Sequence, residues 1–144
     1  MLQPKPRFFR KINRKVIRHT YENKSNYVAF GRYGIQALEY GFLTPRQIEA
    51  VRRTITGRLK RQAKVWIRAY PDYPRTAKPK EVRRGRGKGG VDRWVCYVKP
   101  GRILFEASTR NPQKVSAKLV QSVLVWALRK LPVFAQVVPR VRTL

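Results

Sequence analysis

The chain has 144 residues, of which 42% are hydrophobic, so it has the size of one domain and can bury a core. Its 34 Lys and Arg against 7 Asp and Glu give a net charge of +27, which predicts a polyanionic partner because an isolated domain of that charge repels itself. The single cysteine excludes an intrachain disulfide, and the apolar runs are too short to span a bilayer.

Residues 1–26 are predicted to form a basic, extended N-terminal arm. Two early prolines keep the start extended, and the few apolar residues give the arm no core of its own. Two interpretations stay open: a solvated charged tail, or an arm whose Phe8, Phe9 and Tyr21 stack on unpaired bases. The cations expected to contact phosphates are Lys5, Arg7, Arg10, Lys11, Arg14, Lys15 and Arg18.

Residues 27–144 are predicted to form a single α+β domain. Glycines punctuate its first stretch and predict two short strands, Val28–Phe30 and Ile35–Glu39.

The stretch from residue 43 to 62 carries the clearest helix signals. Thr44 is a good N-cap, Pro45 suits the first helical position, and Gln47 completes a capping box. Apolar residues recur every three to four positions, at Ile48, Val51, Ile55 and Leu59. The rest of the helix surface is basic, and the cations expected to contact the phosphates of a polyanion are Arg46, Arg52, Arg53, Lys60 and Arg61.

Residues 64–70 alternate as a strand, with Val65, Ile67 and Ala69 on one face and Lys64, Trp66, Arg68 and Tyr70 on the other. Lys64, Trp66 and Arg68 are candidate RNA contacts. Trp66 has two interpretations of comparable weight, stacking on RNA or packing in a core or interface.

The remaining elements lie toward the C-terminus. Residues 71–80 carry three prolines and are predicted to be irregular, while 93–107 predict two strands joined as a hairpin at Pro100-Gly101. A second helix is predicted to begin with Asn111 as its cap and Pro112 as its first residue, and to stop at Pro132. Trp126 in this helix is expected to serve in packing. Residues 133–141 predict a last strand. The sum is an antiparallel or mixed sheet of five to seven strands covered by two helices.

The stretch "RRGRGKGG", residues 83–90, lies in a basic projection predicted over 75–93. It formally matches a dinucleotide-binding glycine pattern, but a strand follows where that motif needs a helix. A solvated basic loop is one alternative. The favoured interpretation is a polynucleotide contact, because glycines allow close backbone approach and cations bind phosphates. Its residues are Arg83, Arg84, Gly85, Arg86, Gly87, Lys88 and Gly89.

No residue pattern indicates catalysis, a metal site or a cofactor. The only histidine, His19, lies in the arm, Cys96 lies in a strand run that favours burial, and the seven acids are scattered. Two other functional classes remain open: an architectural nucleic-acid-binding protein and an RNA-modifying enzyme.

Several stretches together resemble the large-subunit ribosomal protein sixteen family of bacteria, plastids and mitochondria. They are "MLQPK", "FGRYGIQALE", "LTPRQIEAVRRTI", "KRQAKVWIRAYP", "EVRRGRGKG" and "VKPGRILFE", in this order from residue 1 to 106. The tryptophan segment and the glycine-arginine loop are the family's signature regions. Arg84 stands where the family usually has methionine, and Ala69 where it has a larger aliphatic residue. These departures favour a mitochondrial member, with plastid or bacterial cytoplasm as alternatives.

The resemblance implies an α/β sandwich bound to large-subunit rRNA near the central protuberance and the aminoacyl-tRNA channel. It implies that the arm threads into rRNA and that the 82–90 loop approaches tRNA and the peptidyl transferase centre. Neighbouring large-subunit proteins are the other expected partners, and no membrane or small-molecule substrate is expected.

Overall fold

The computed structural model describes residues 2–5, 11–12, 20–83, 85, 87–109 and 115–141. These residues form seven strands and two helices, which confirms the predicted α+β class. In chain order they are β1 (Tyr33–Ala37), β2 (Gly41–Leu43), α1 (Pro45–Arg58), β3 (Ala63–Ile67), β4 (Tyr73–Ala77), β5 (Gly90–Val98), β6 (Ile103–Thr109), α2 (Ala117–Leu128) and β7 (Ala135–Pro139).

The strands form two antiparallel sheets. One has four strands in the order β3-β6-β1-β7, and the other has three in the order β2-β5-β4. β6 is buried from Ile103 to Ala107 with no exposed position between them. A strand that is buried on both faces needs cover on both sides, which explains its place inside the larger sheet.

The core lies between the helices and the larger sheet. α1 packs against α2, β3 and β5, while α2 packs against β1, β6 and β7. Ile48, Val51 and Ile55 of α1 and Val120, Val123, Leu124 and Ala127 of α2 are buried, as their periodicity predicts.

α1 begins as its sequence predicts. The Thr44 hydroxyl accepts a hydrogen bond from the Gln47 backbone N–H, and the Thr44 N–H donates to the Gln47 side chain at 2.9 Å, so both halves of the capping box are present. These signals all lie within four residues, so they do not depend on the rest of the fold.

The predicted start of the second helix is wrong. α2 begins at Ala117, and Ser116 is its N-cap, with an extended backbone and a side chain that accepts from the Leu119 N–H at 3.2 Å. The predicted cap, Asn111, and Pro112 lie outside the described residues. Two competent caps stand five residues apart in the sequence, and local signals alone do not choose between them.

The predicted hairpin over 93–107 is also wrong. Both strands form, but β5 pairs with β2 and β4 while β6 pairs with β1 and β3. The Pro100-Gly101 turn therefore carries the chain from one sheet to the other, and it is held there by the Gly101 N–H, which donates to the Ala37 carbonyl at 2.7 Å.

Two further predictions fail in the irregular segments. β4 forms where three prolines predicted no strand, and its Pro74 is tolerated because β4 is an edge strand. Residues 28–30 are not a strand, because the N–H groups of Ala29 and Phe30 donate to a glutamate side chain instead of a neighbouring strand. Ile35–Glu39 is confirmed as a strand that starts and ends two residues earlier.

Candidate nucleic-acid interface

A basic cleft of about 540 Å³ lies between the C-terminal half of α1 and the start of β3. It brings together four predicted RNA-contacting cations from two separate stretches of sequence. Its lining residues are Arg52, Arg53, Thr56, Gly57, Arg61, Ala63, Lys64 and Val65. Four long cationic side chains around one concave surface fit a polyanion that enters between them.

The turn after α1 orients this cleft. Lys60 and Arg61 have φ of 46° and 60°, in the left-handed region that non-glycine residues rarely adopt. The Lys60 N–H donates to the Gly57 carbonyl and the Arg61 N–H to the Thr56 carbonyl, which together form a Schellman cap. Glycine usually occupies such a position, so the chain tolerates backbone strain at this helix-to-strand turn and keeps two cations there.

Glu49 partly neutralises this surface. Arg52 contacts both carboxylate oxygens of Glu49, at 2.7 and 2.8 Å, and Arg53 lies at 3.0 Å. Hydrogen bonds from Arg52 and then Arg53 lower the pKa of Glu49 to about 2. One carboxylate therefore faces two guanidinium groups, and the cluster keeps a net positive charge. The Arg53 side chain is 76% exposed and remains available to a phosphate.

The tryptophan segment presents aromatic rings beside cations. Trp66 is half-buried, and its ring stacks on that of Phe30 with centroids 6.3 Å apart and planes 21° from parallel. The Lys64 ammonium lies 5.1 Å from the Trp66 ring centroid. The Trp66 ring packs on a neighbour at the protein surface and not in the core, and its stacking on RNA stays a prediction.

Arg68 binds a buried carboxylate. Its Nη1 donates to Glu106 Oε1 at 2.7 Å and to the Tyr27 carbonyl at 2.6 Å, and the side chain is only 16% exposed. Releasing it would leave the fully buried Glu106 charge without its cation, at a cost of about 3–5 kcal/mol. The predicted RNA contact at Arg68 stays a prediction, and the structure gives this guanidinium a role inside the fold.

Glu106 also accepts three backbone hydrogen bonds, from Ala29 at 3.2 Å, Phe30 at 2.6 Å and Gly31 at 2.7 Å. Burial alone would raise the pKa of Glu106, but these N–H groups and Arg68 outweigh burial and hold that pKa below its ordinary value. The charged carboxylate therefore fixes residues 29–31 across the larger sheet.

Gly31 permits this arrangement. A Cβ atom there would lie 2.9 Å from both the backbone N and the backbone O of Ala107, closer than real Cβ contacts. No other residue type fits at this position without moving the segment away from Glu106.

The glycine-arginine loop caps the two-stranded ribbon made by β4 and β5. Gly85 and Gly87 have φ of 107° and 82°, a conformation that favours glycine. Arg83 and Lys88 are exposed and Gly89 is half-buried, while Arg84 and Arg86 lie outside the described residues. The described loop residues thus lie between two paired strands, and the projection over 75–93 stays a prediction.

Part of the arm meets this loop. The Lys11 ammonium donates to the Lys88 carbonyl at 2.9 Å, and the Lys88 ammonium donates to the Ile12 carbonyl. Two predicted RNA-contacting regions, far apart in sequence, therefore share one basic surface. Lys5 is exposed, and the arm cations Arg7, Arg10, Arg14, Lys15 and Arg18 lie outside the described residues, as do Phe8 and Phe9.

Arg46 lies apart from the basic cleft. It is exposed near the start of α1 and lines another concavity, of about 960 Å³, which shares Arg53 with the basic cleft and also includes Leu2, Glu49 and Tyr70. Lys60 is exposed at the turn but does not line the basic cleft.

Sequence reasoning missed Tyr27, Phe30 and the role of Glu106. The available signal was one glutamate inside the apolar run "ILFEA", which indicates a buried acid that needs partners. Trp126, predicted to serve in packing, is 45% exposed and packs between the guanidinium groups of Arg58 and Arg129, which lie 4.5 and 4.4 Å from its ring centroid.

The described ranges contain no cluster of metal-binding side chains. No group of three His, Cys, Asp or Glu side chains there is placed to hold a metal ion. Cys96 is buried and unpaired, as expected, and burial raises the pKa of its thiol. Among the described helices, none is long and apolar enough to cross a membrane.

Comparison with known proteins agrees with this picture. Residues 4–138 match the family model described as ribosomal protein L16p/L10e. The chain is 49% identical over 142 residues to the large ribosomal subunit protein uL16 of Hyphomonas neptunium, covering 98% of each chain. It is 47% identical over 141 residues to the uL16 proteins of Psychrobacter cryohalolentis and Psychrobacter arcticus, covering 97% of this chain and 98% of theirs.

These relatives are bacterial, so the mitochondrial assignment is not confirmed and stays a prediction. The match spans almost the whole chain and includes both the tryptophan segment and the glycine-arginine loop. The chain belongs to the ribosomal protein L16p/L10e family.

Proposed function

We propose that this protein is a structural constituent of the large ribosomal subunit that binds large-subunit rRNA through its basic cleft, arm and helix surface. Family membership supports the ribosomal role and confirms that the protein is structural and not an enzyme. The basic cleft carries the rRNA part of the proposal, because Arg52, Arg53, Arg61 and Lys64 converge there from two stretches of chain.

The finer placement follows the family resemblance. The protein binds near the central protuberance and the aminoacyl-tRNA channel, and its 82–90 loop approaches tRNA and the peptidyl transferase centre. The position of the loop at the tip of a ribbon, with Arg83 and Lys88 exposed, supports a contact made at a distance from the core. The two earlier alternatives have no observation that favours them.

The rRNA proposal is tested by sedimentation through a salt gradient. Arg53, Arg61 and Lys64 are changed together to alanine, and retention on large subunits is measured as salt rises. The variant should dissociate at lower salt, because each lost phosphate contact reduces the salt dependence of binding by about one charge.

A charge-matched control removes Lys118, Lys130 and Arg140, three exposed cations outside the basic cleft. If both triple variants dissociate at the same salt, net charge alone explains the binding and the cleft has no special role.

The loop proposal is tested separately. Changing Arg83, Arg86 and Lys88 to alanine should leave the domain folded and impair tRNA accommodation or late subunit assembly. Normal assembly and normal translation with these subunits would contradict a role for the loop.

A further inference from the structure

Two exposed aromatic rings and one half-buried ring form a cluster on one side of the larger sheet. Tyr27 and Phe30 are 62% and 60% exposed, although aromatic side chains of this size are usually largely buried. Trp66 lies beside Phe30 in near-parallel orientation. We call these three residues the aromatic platform.

Arg68 and Glu106 hold the aromatic platform in position. The Arg68 guanidinium lies 5.8 Å from the Tyr27 ring centroid and 5.9 Å from the Phe30 ring centroid, so one cation makes a cation–π contact with both rings. Arg68 is itself fixed by Glu106 and by the Tyr27 carbonyl. Glu106 also fixes the Phe30 backbone at 2.6 Å, so the same carboxylate positions both the cation and the ring.

The surroundings of the platform are cationic. Lys64 lies 5.1 Å from the Trp66 ring and also lines the basic cleft, so the platform continues directly into that cleft. Exposed rings beside a phosphate-binding surface are the arrangement that binds single-stranded nucleic acid, because every base has a face that can stack. Paired bases in an A-form helix offer no free face to such a surface.

We infer that Tyr27, Phe30 and Trp66 form a stacking site for unpaired bases of RNA, with Glu106 as the positioning residue that holds it in place. The inference rests on the proposed rRNA-binding function and names the kind of RNA, unpaired nucleotides, that this side of the molecule takes. Nucleotides stacked on the platform place their phosphates toward Lys64 and the basic cleft.

The test uses the full-length protein and two RNAs of equal length. One is a hairpin with an adenine-rich loop that contains 2-aminopurine, and the other is a fully paired duplex with 2-aminopurine in its stem. The wild-type protein should bind the hairpin more tightly than the duplex and should change the fluorescence of the hairpin probe. Equal affinity for the two RNAs with no fluorescence change would overturn the stacking site.

Phe30→Ala should weaken hairpin binding about tenfold and leave duplex binding unchanged, because one base–ring contact is lost. The salt dependence of binding should not change, since no cation is removed. Phe134→Ala is the matched control, because Phe134 is 76% exposed and lies outside the platform. If Phe30→Ala and Phe134→Ala behave alike, the platform binds no base.

Glu106 is tested by a double-mutant cycle. Glu106→Gln should weaken hairpin binding in the wild-type background and have little further effect in a Tyr27→Ala, Phe30→Ala background. An equal loss in both backgrounds, or an equal loss for duplex, would mean that Glu106 supports the fold alone.

Failure of the inference and failure of the proposed function have different signatures. If the protein binds both RNAs and Phe30→Ala does not weaken hairpin binding, the rRNA-binding function holds and the aromatic platform is not a stacking site. A protein that binds neither RNA contradicts both.

Discussion

Two arginine–glutamate pairs in this protein have the same shortest N–O distance, 2.7 Å, and opposite settings. Arg52 and Glu49 lie on the surface of α1, with side chains 38% and 33% exposed, whereas Arg68 and Glu106 are 16% and 0% exposed. Water screens the first pair and not the second. The comparison shows that one arginine of this +27 chain is held inside the fold by a buried carboxylate, whereas the other stays at the surface beside an exposed one.

The largest expected effect separates the two acids. Glu106→Ala should lower the free energy of unfolding by about 3–5 kcal/mol, because it leaves Arg68 and three backbone N–H groups without their acceptor. Glu49→Ala should cost less than about 1 kcal/mol. Denaturant unfolding measures both, and equal losses would show that burial does not distinguish the pairs.

Two glycines extend the comparison to the backbone. Gly31→Ala should destabilise the protein by about 1–3 kcal/mol, because its Cβ meets the Ala107 backbone and pushes the segment off Glu106. Gly57→Ala in α1 has open space around its Cβ and should stabilise by about 0.5–1 kcal/mol, through better helix propensity. Thermal unfolding of the two variants should move in opposite directions, and a shared direction would refute the close approach at Gly31.

Low pH should destabilise the protein mainly through the buried Arg68–Glu106 pair. Because the pKa of Glu106 is held below its ordinary value of 4.5, its stabilising contribution is fully present above that value and is lost as pH falls through the lowered pKa. The pKa of Glu49, about 2, gives the same sign, but exposure reduces its contribution. Glu106→Gln should therefore flatten the acid side of the stability profile more than Glu49→Gln does. Unfolding followed between pH 2 and pH 6 (about the range in which carboxylates titrate) measures the difference.

The smallest expected effect concerns RNA and not the fold. Arg53→Ala should leave the free energy of unfolding within about 0.5 kcal/mol of wild type and reduce the salt dependence of RNA binding by about one charge. Arg68→Ala should do the reverse, destabilising the fold while the salt dependence changes less. If Arg68→Ala reduces the salt dependence as much as Arg53→Ala, then Arg68 contacts phosphate and its predicted RNA role holds.

The sequence predicted α1 well and the sheets less well, for one physical reason. The cap at Thr44, the capping box at Gln47 and the apolar stripe are all written within short stretches of chain. Strand partners are chosen over long distances, so the Pro100-Gly101 turn looked like a hairpin although β5 and β6 belong to different sheets. The strand expected at Val28–Phe30 does not form, because the N–H groups of Ala29 and Phe30 donate to the Glu106 side chain and not to a neighbouring strand.

By itself, the sequence determined the α+β class, the polyanionic partner and the two signature segments, because charge, periodicity and local motifs do not depend on the path of the chain. Only the tertiary structure decided which cations remain free. Arg61 and Lys64 meet Arg52 and Arg53 in one cleft, while Arg68, two positions after Trp66, is turned onto Glu106. Whether a cation is free or paired depends on its burial and on partners from distant segments of the chain. Neither can be predicted from the spacing of residues along the sequence.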